Sequence, residues 1–390
     1  MIVNLEWDPR LGAVRVFMEL ADGWRAAGHT VEHFSLSEAF PRGHAAPPVF
    51  AVRQLLFAYK AADFVKKNAE RFDVIDALIG SLAGSKQKLG FKGLLVARSV
   101  GLYRLYECFE NKARKQQPRR RGSFFGRIFY GLTTRWSHRT SDAAVREADL
   151  VNVPNEEENE CLRTEVGSGL AITVQPYGLT NERRQALAQA AASAEKRLAL
   201  KKISFVGMWA PRKGSRDWPR IIRLVWQVVP DARFSFFGTM VNPERIYADL
   251  GLQSSGKVEC FTEYSQEILP SLLADCVAGA FPSYVEGFGI AVLEQMAAGI
   301  PTVAFDVSGP RDIVGRDLSH LLAPPGDVEK FVALLVGILQ SDSRDYQTLR
   351  EQCLTRAQHF TWSDIARDTA QVYRQHLLET PGHGRATDAR

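Results

Sequence analysis

Residues 280–306 have the sequence AFPSYVEGFGIAVLEQMAAGIPTVAFD. An apolar strand ends at Pro282, a loop with two glycines follows, and a helix begins near Gly289. A second β-rich run then occupies residues 301–305. A strand, a helix and another strand within about thirty residues form a βαβ unit. The segment therefore predicts a parallel sheet covered by helices.

The same alternation of β-rich runs and helical patterns extends through the rest of the chain. In the C-terminal half, strands are predicted at residues 203–207, 233–238, 258–261, 277–281 and 301–305, with a helix at 217–229. In the N-terminal half, strands are predicted at 2–5, 30–34, 72–79, 94–97 and 150–153, with a helix at 14–27. The sequence therefore predicts an α/β fold with two open sheets.

The length of 390 residues exceeds the size at which single cores usually stop growing. We expect an N-terminal domain over residues 1–180 and a C-terminal domain over 200–360. Between them, residues 185–199 have the composition of a surface helix or linker. A last helix, returning to the N-terminal domain, is expected over 361–378, and a disordered tail over 380–390.

The composition argues against several other classes of protein. Hydrophobic residues make up 45% of the chain and charged residues 24%, as in soluble globular proteins. No apolar run approaches the roughly 20 residues that span a bilayer, and Glu6 and Asp8 interrupt any signal-peptide pattern. The five cysteines are scattered without a CxxC pair, which favours reduced thiols over a structural zinc or disulfide framework. These features predict a cytoplasmic protein.

The loop at residues 286–289 has the features of an anion-binding site. Gly287 and Gly289 let a ligand approach the backbone closely, and the unpaired amides at the helix start favour a phosphate. Glu294 lies about 7.5 Å along the helix from its start. It can reach a hydroxyl group that lies one sugar unit away from a phosphate bound at the helix start. Glu286 can reach the other side of a diphosphate. The arrangement suits a nucleotide sugar, although a Gly-x-Gly turn taken alone more often has a purely structural role.

The surrounding sequence resembles the large retaining glycosyltransferase family 4, which has the GT-B fold. Two glutamates stand eight positions apart around a GFG loop, as in that family. The other similar segments are Phe205-Val206-Gly207, Arg212-Lys213-Gly214, Ala297-Ala298-Gly299-Ile300-Pro301 and Pro324-Pro325-Gly326-Asp327. The resemblance implies two Rossmann-like domains facing each other across a cleft, with the acceptor bound in residues 1–180 and the donor in 200–360.

The resemblance also implies roles for individual residues. Lys213, assisted by Arg212, would neutralise the donor diphosphate as it leaves, while Glu286 contacts the transferred sugar and Glu294 the ribose. Gly12 would let the N-terminal domain approach the diphosphate. The implied catalytic residues are Glu286 and Lys213. The implied donor-binding residues are Gly12, Arg212, Lys213, Glu286, Gly287, Phe288, Gly289 and Glu294.

Two positions depart from the family's pattern. Met208 follows the first strand of the C-terminal half, where the family commonly has an Arg. Val100 stands where a His often contacts the donor sugar. Three alternatives remain open: a different donor, weak activity, or a neighbour such as Arg98 or Tyr103 in place of the His.

Residues 111–140 contain nine Lys or Arg and no acidic residue, with apolar residues at helical spacing. Apolar anchors combined with cations are typical of a membrane-surface helix. Contact with an anionic membrane or the acceptor is therefore predicted for Arg119, Arg120, Arg121, Phe124 and Phe125. Leu132 and Trp136 are instead expected on the core-facing side of an ordinary helix. Nucleic acid is not an expected partner, because nothing else in the chain resembles a reader module.

The expected function is retaining, metal-independent transfer of a sugar from a nucleoside diphosphate sugar (UDP- or GDP-sugar) to a saccharide or lipid-linked acceptor. Surface polysaccharide biosynthesis is the expected context, with contact at the inner face of the membrane. Retention is implied by the resemblance alone. Metal independence is inferred because the sequence contains no Asp-x-Asp, the metal-holding tripeptide of many transferases of the other major fold, and no cofactor is expected. The alternatives are an inactive GT-B scaffold and a GT-B sugar-nucleotide epimerase or hydrolase.

Overall fold

The computed structural model describes residues 1–9, 11–41, 47–102, 104–109, 124–167, 169–252 and 256–379, without the side chains of residues 47, 48, 51 and 124–134. The chain forms two compact units. Unit 1 comprises Met1–Val100, Arg119–Pro176 and Trp362–Arg390, and unit 2 comprises Gly101–Pro118 and Tyr177–Thr361. Each unit is built on one parallel sheet flanked by helices. The predicted α/β fold class is confirmed.

The sheet of unit 1 has the strand order β1-β2-β3-β4. Its strands are β1 Val74–Leu78, β2 Leu94–Arg98, β3 Leu150–Val153 and β4 Ile172–Val174, all parallel. The two strands expected at 2–5 and 30–34 are reduced to isolated bridges, since Ile2 pairs with Phe34 and with Ala77. On the β1 side the pairing ends there because the Asn4 amide donates to the Ser81 hydroxyl instead of to β1. The predictions of extended strands at 2–5 and 30–34 are therefore wrong, although Ile2 still pairs with Ala77 of β1 and with Phe34.

The helices, numbered along the whole chain, surround these sheets. Those of unit 1 are α1 Gly12–Ala26, α2 Leu36–Ala39, α3 Pro47–Asn68, α4 Lys86–Leu89, α6 Phe124–Glu147, α7 Glu156–Val166 and α17 Trp362–Glu379, with a 3₁₀ turn at Ala69–Arg71. Helices α1 and α17 pack closely at Gly23, where a Cβ would lie only 2.6 Å from the Cβ of Ala366. Glycine at this position allows the close approach. Trp24 Nε1 also donates to the Ala366 carbonyl at 2.8 Å. These contacts hold α17 within unit 1.

A buried polar network joins α17 to the sheet of unit 1. Arg98 in β2 is 1% exposed, and its Nη2 lies 2.7 Å from Oδ2 of Asp76 in β1. The hydroxyl of Tyr373 in α17 donates to the same Asp76 oxygen at 2.6 Å and accepts from Arg98 Nη2 at 2.7 Å. Burial raises the pKa of Tyr373 well above its usual value. The charges of Arg98 and Asp76 therefore balance each other beneath the helix.

The sheet of unit 2 has the strand order β10-β9-β8-β5-β6-β7. Its strands are β5 Lys202–Val206, β6 Arg233–Phe237, β7 Val258–Phe261, β8 Cys276–Phe281, β9 Thr302–Phe305 and β10 Leu322–Ala323, all parallel. When the six strands are numbered 1 to 6 along the chain and the sheet is read from β7 to β10, this order is 3-2-1-4-5-6. It is the order of a dinucleotide-binding Rossmann sheet. The direction of winding reverses between β5 and β8, which are neighbours.

The remaining helices belong to unit 2. They are α5 at 104–109, α8 Asn181–Ala190, α9 Ala194–Leu200, α10 Trp218–Val228, α11 Pro243–Leu250, α12 Leu269–Leu273, α13 Ile290–Ala297, α14 Pro310–Val314, α15 Val328–Leu339 and α16 Ser343–Ala357, with 3₁₀ turns at Pro211–Lys213 and Ser319–Leu321.

The segment 185–199, expected as a surface helix or linker, is an integral part of unit 2. It contains the end of α8 and most of α9. Arg197 in α9 is fully buried, and its guanidinium donates to the carbonyls of Ala274, Ala298 and Gly299 at 2.7–2.9 Å. The expected surface helix is present, since only Leu187, Ala194 and Arg197 of this segment are buried, whereas the linker alternative is wrong because the segment lies inside unit 2. The charge of Arg197 suggests exposure, but backbone carbonyls satisfy it in the interior.

Candidate active site

The candidate site lies at the carboxyl ends of β5 and β8 in unit 2. At such a reversal of strand order the connections leave on opposite faces of the sheet, and the crevice between them is where open α/β sheets bind ligands. The loop after β5 contains the turn Pro211–Lys213. The loop after β8 contains residues 282–289 and leads into α13. Both segments singled out from the sequence therefore meet at one place.

The two loops are tied together through the backbone. The amide of Tyr284 donates to the Arg212 carbonyl at 2.8 Å, and the Ser283 hydroxyl oxygen lies 3.2 Å from the same carbonyl oxygen. Gly214 has φ +79°, and a Cβ there would lie 2.3 Å from the Pro282 carbonyl oxygen. Only glycine fits this approach, so the motif Arg212-Lys213-Gly214 holds Lys213 against the β8 loop.

Lys213 and Glu286 form an ion pair inside the site. Lys213 Nζ lies 2.5 Å from Glu286 Oε1, and the two side chains are 13% and 6% exposed. The Ser283 hydroxyl donates to the same carboxylate oxygen, and the ammonium lies 4.8 Å from the centre of the Phe281 ring. Burial lowers the pKa of Lys213 below that of an ordinary lysine, although the charge of Glu286 opposes the fall. The two predicted catalytic residues are thus in direct contact.

The GFG loop is fixed by the packing of its central residue. The Phe288 side chain is buried, with ring-centre distances of 5.3 Å to Tyr177 and 5.8 Å to Phe360. Gly289 has φ +88° and precedes the first residue of α13. Gly287 and Gly289 therefore flank an anchored residue at the start of α13, and the start of a helix is a favourable position for an anion.

Glu294 lies in α13 and is almost completely buried, at 2% exposure. Arg183 in α8 binds one carboxylate oxygen of Glu294 through Nε at 3.1 Å and Nη2 at 2.9 Å. Its Nη1 donates to the Gln266 carbonyl at 2.9 Å. Sequence analysis missed Arg183, because no local pattern links residues 111 positions apart.

Arg212 supplies a second cation beside the ion pair. Its guanidinium lies 5.0 Å from the centre of the Tyr106 ring, within the same unit. A positive charge over an aromatic face is held in place by the ring quadrupole. Arg212 is therefore oriented by Tyr106, and its contact with a donor diphosphate stays a prediction.

Asp217 and Tyr284 form a further contact that the sequence analysis missed. The Tyr284 hydroxyl donates to the Asp217 carboxylate, while burial raises the pKa of the Asp217 carboxyl against the effect of that bond. Burial, with the Asp217 charge beside it, raises the pKa of Tyr284 as well. Among the described residues, Oδ2 of Asp217 has no hydrogen-bond partner. The pair connects the start of α10 to the β8 loop next to Glu286.

The other predicted donor residues have different surroundings. Gly12 is the first residue of α1 in unit 1, and a Cβ there would meet nothing within 4 Å. No local constraint demands glycine at this position, so its role at the diphosphate stays a prediction. Met208 is 41% exposed. Arg98 is unsuited to replace the missing His, because its guanidinium is buried on Asp76, and Tyr103 lies outside the described residues.

Residues 111–140, the basic stretch of the sequence analysis, are only partly described by the structure. Arg119, Arg120 and Arg121 lie outside the described residues, and Phe124 and Phe125 begin α6 without described side chains. Trp136 in the same helix is half-buried, with its ring centre 6.3 Å from that of Tyr59 in α3. Trp136 therefore packs on a neighbouring helix, whereas the membrane contact predicted for residues 119–125 stays a prediction. Within the described part of the chain, no helix has the length and apolarity to cross a bilayer.

A family model matches the segment that contains this site. Residues 200–341 match the family described as Glycosyl transferases group 1. This glycosyltransferase segment includes both loops and Glu294, and the match confirms the resemblance predicted from the motifs. The O-antigen chain mannosyltransferase B of Escherichia coli is 36% identical over 178 residues. That match covers 44% of this chain and 45% of the mannosyltransferase, so the chain aligns with less than half of this relative.

Solved structures share the fold over nearly the whole chain. Sucrose-phosphate synthase from Thermosynechococcus elongatus superposes with a TM-score of 0.73 at 19% identity, covering 97% of this chain and 96% of the synthase. HepE from Anabaena in complex with UDP superposes with a TM-score of 0.61 at 17% identity, covering 95% and 98% respectively. These similarities show that the fold of both units is that of GT-B glycosyltransferases.

Proposed function

We propose that this chain is a glycosyltransferase that binds a nucleoside diphosphate sugar at the loops after β5 and β8 of unit 2. The observation that carries the proposal is the Lys213–Glu286 pair, held where the strand order reverses and next to the start of α13. The match of residues 200–341 to Glycosyl transferases group 1 supports it. So does HepE, a protein of the same fold whose structure contains UDP.

The reaction would use the charges of the site in a defined way. Breaking the sugar–phosphate bond builds negative charge on the departing diphosphate, which fixed cations and amides stabilise. Burial lowers the pKa of Lys213, which means that its charged form is poorly hydrated. A bound diphosphate would stabilise that charged form by supplying negative charge beside it. Glu286 would then share the Lys213 ammonium and contact the transferred sugar. Glu294, held by Arg183, would accept hydrogen bonds from the ribose.

The finer features of the reaction belong to the same proposal. We propose that transfer retains the anomeric configuration, on the family resemblance, and proceeds without a metal ion. Lys213 and Arg212 provide the positive charge that a metal would otherwise supply, and the chain contains no Asp-x-Asp. For the acceptor, we propose a saccharide or lipid-linked saccharide in surface polysaccharide biosynthesis at the cytoplasmic face of a membrane. The name of the Escherichia coli relative, an O-antigen chain mannosyltransferase, supports this acceptor class.

Calorimetric titration with UDP, GDP and ADP, in the presence of a metal chelator, tests the donor site. We expect one base to bind and the Lys213→Ala variant to lose most of that affinity, because a buried cation that pairs with phosphate is removed. Absence of binding by any of the three nucleotides would contradict the proposal. Binding that appears only after a divalent metal is added would contradict its metal-independent part.

Replacing Arg183 by glutamine should weaken binding of that nucleotide about tenfold, or about 1.4 kcal/mol. The reason is that Glu294 loses the cation that orients its carboxylate, although its contact with the ribose is not removed. Calorimetry gives the affinity, and a thermal melt reports any loss of stability. Arg184→Gln is the matched control, since the neighbouring Arg184 lies on the same helix, is half-buried, and donates to Asn181 and the Gln358 carbonyl instead of to Glu294. Equal affinities for the two variants would contradict the role of Arg183.

A further inference from the structure

Helix α5, residues 104–109, packs on both loops of the candidate donor site. The ring centre of Phe109 lies 5.4 Å from that of Tyr284 in the β8 loop, with 28° between the ring planes. The ring centre of Tyr106 lies 5.0 Å from the Arg212 guanidinium in the loop after β5. Residues three positions apart share one face of a helix, so one face of α5 contacts both loops. The helix belongs to unit 2 but lies outside residues 200–341, so the family match assigns it no role.

The place of the Tyr106 ring is fixed by the chain that precedes it. The amides of Leu105 and Tyr106 both donate to the Leu102 carbonyl, at 3.1 and 3.4 Å, which begins the helical turn. Gly101 has φ +134°, and a Cβ there would lie 2.3 Å from the Tyr106 hydroxyl oxygen and 2.9 Å from two ring carbons. Glycine is the residue that allows both this backbone and this approach. The ring is therefore set in place by its contacts with Gly101 and Leu102.

The two residues that α5 contacts are joined to each other. The Tyr284 amide donates to the Arg212 carbonyl at 2.8 Å. Arg212 directly precedes Lys213, and Tyr284 stands two positions before Glu286. Both contacts of α5 therefore act on the backbone that carries the buried ion pair of the site.

The charge of Arg212 lies beside the ammonium of Lys213. Burial lowers the pKa of Lys213 most, the charge of Glu286 opposes the fall, and the charge of Arg212 lowers the pKa further. Two neighbouring cations repel each other, and a bound anion relieves that repulsion. In the proposed function, the Lys213–Glu286 pair lies where the sugar–phosphate bond breaks, and Glu294 lies at the ribose. Arg212 is therefore nearer to the phosphate attached to the sugar, which a nucleoside monophosphate lacks.

We propose that Tyr106 and Phe109 are positioning residues for the donor diphosphate: Tyr106 orients Arg212 towards the phosphate attached to the sugar, and Phe109 holds the β8 loop through Tyr284. The proposal rests on the proposed function, because it needs a nucleoside diphosphate at these loops. A guanidinium over an aromatic face still donates to a phosphate through its edge. Because its orientation is already restricted, it loses less conformational freedom on binding than a mobile side chain does. The contribution of α5 is therefore specific to the phosphate attached to the sugar.

Calorimetric titration of the full-length protein with a nucleoside diphosphate and its monophosphate tests the proposal. The pair is UDP and UMP, or the matching pair if another base binds. We expect Tyr106→Leu to weaken binding of the diphosphate about tenfold and of the monophosphate less than about twofold, because only the ring that orients Arg212 is lost. Tyr106→Phe keeps the ring face and should bind both nucleotides within about twofold of the wild type. Phe109→Leu should weaken binding of the diphosphate about threefold, since Tyr284 keeps its bond to Arg212.

The matched control is Cys108→Ala, which changes an exposed residue between the two aromatic ones on α5. It should bind both nucleotides as the wild type does, and a thermal melt of each variant reports any loss of folding. A second measurement uses Arg212→Leu. When this change is added to Tyr106→Leu, it should weaken binding of the diphosphate much less than it does alone, because Tyr106 acts through Arg212.

The outcomes separate this proposal from the proposed function. If Tyr106→Leu weakened both nucleotides equally, or neither, the positioning role alone would be overturned. The same follows if the losses caused by Tyr106→Leu and Arg212→Leu add up in the double variant. No nucleotide binding by the wild type would overturn the proposed function and this proposal together.

Discussion

Replacement of Lys213 by alanine is expected to lower sugar transfer by about 100- to 1000-fold in kcat. The ammonium of Lys213 is poorly hydrated, with its side chain 13% exposed, and its partner is the carboxylate of Glu286. In that environment, a fixed charge facing a leaving diphosphate stabilises the transition state more strongly than an exposed lysine would. Release of the nucleoside diphosphate in the presence of donor and acceptor measures the effect.

The control for this variant lies on the same strand. Lys202, at the opposite end of β5, also pairs with a carboxylate, at 2.5 Å from Glu259, but it is far from the β8 loop because it begins the strand. We expect Lys202→Ala to retain turnover within about threefold of the wild type. If Lys213→Ala also stayed within about threefold while melting at the wild-type temperature, Lys213 would not act on the leaving group.

Replacement of Asp76 by alanine is expected to lower the free energy of unfolding by about 3–5 kcal/mol. Arg98 would be left as a buried cation without its carboxylate partner, and Tyr373 of α17 would lose the acceptor of its hydroxyl. Uncompensated buried charge is among the few causes of such large losses. Urea unfolding, followed by circular dichroism, measures the change.

Two comparisons separate the buried pair from an ordinary salt bridge. Glu32→Ala removes the partner of Arg71 at an exposed position, where we expect a loss of no more than about 1 kcal/mol. The double variant Asp76→Leu with Arg98→Met should recover most of the stability lost by Asp76→Ala, because no charge remains unpaired. A double variant as unstable as Asp76→Ala would show that packing, and not the charge, accounts for the loss.

Local sequence patterns were sufficient for most of the sheet of unit 2. The runs at 203–207, 233–238, 258–261 and 277–281 correspond to β5, β6, β7 and β8 within one residue at each end. Each is a short β-rich run bounded by turn residues, and in β5, β6 and β8 such a run is buried within the parallel sheet. The loop at 286–289 is equally predictable from the sequence, because its glycines and the following helix are contiguous.

The features that sequence analysis missed depend on contacts between distant parts of the chain. β4 is a strand of three half-buried residues, Ile172–Val174, too short to give a periodic signal. Arg183 and Arg197 are charged residues whose partners lie far away in sequence, and charge alone suggests a solvated position. The ion pair between Lys213 and Glu286 also needed the structure, because only the neighbouring positions of β5 and β8 bring the two loops together.

The central claim is that a nucleoside diphosphate binds at the loops after β5 and β8. A crystal structure of the chain with bound UDP tests this claim most directly, and GDP replaces UDP if it binds more tightly. The account predicts a phosphate oxygen within about 3 Å of Lys213 Nζ and the ribose hydroxyls on the carboxylate of Glu294. A nucleotide bound away from both loops, with Lys213 still paired to Glu286 and Glu294 still paired to Arg183, would contradict it.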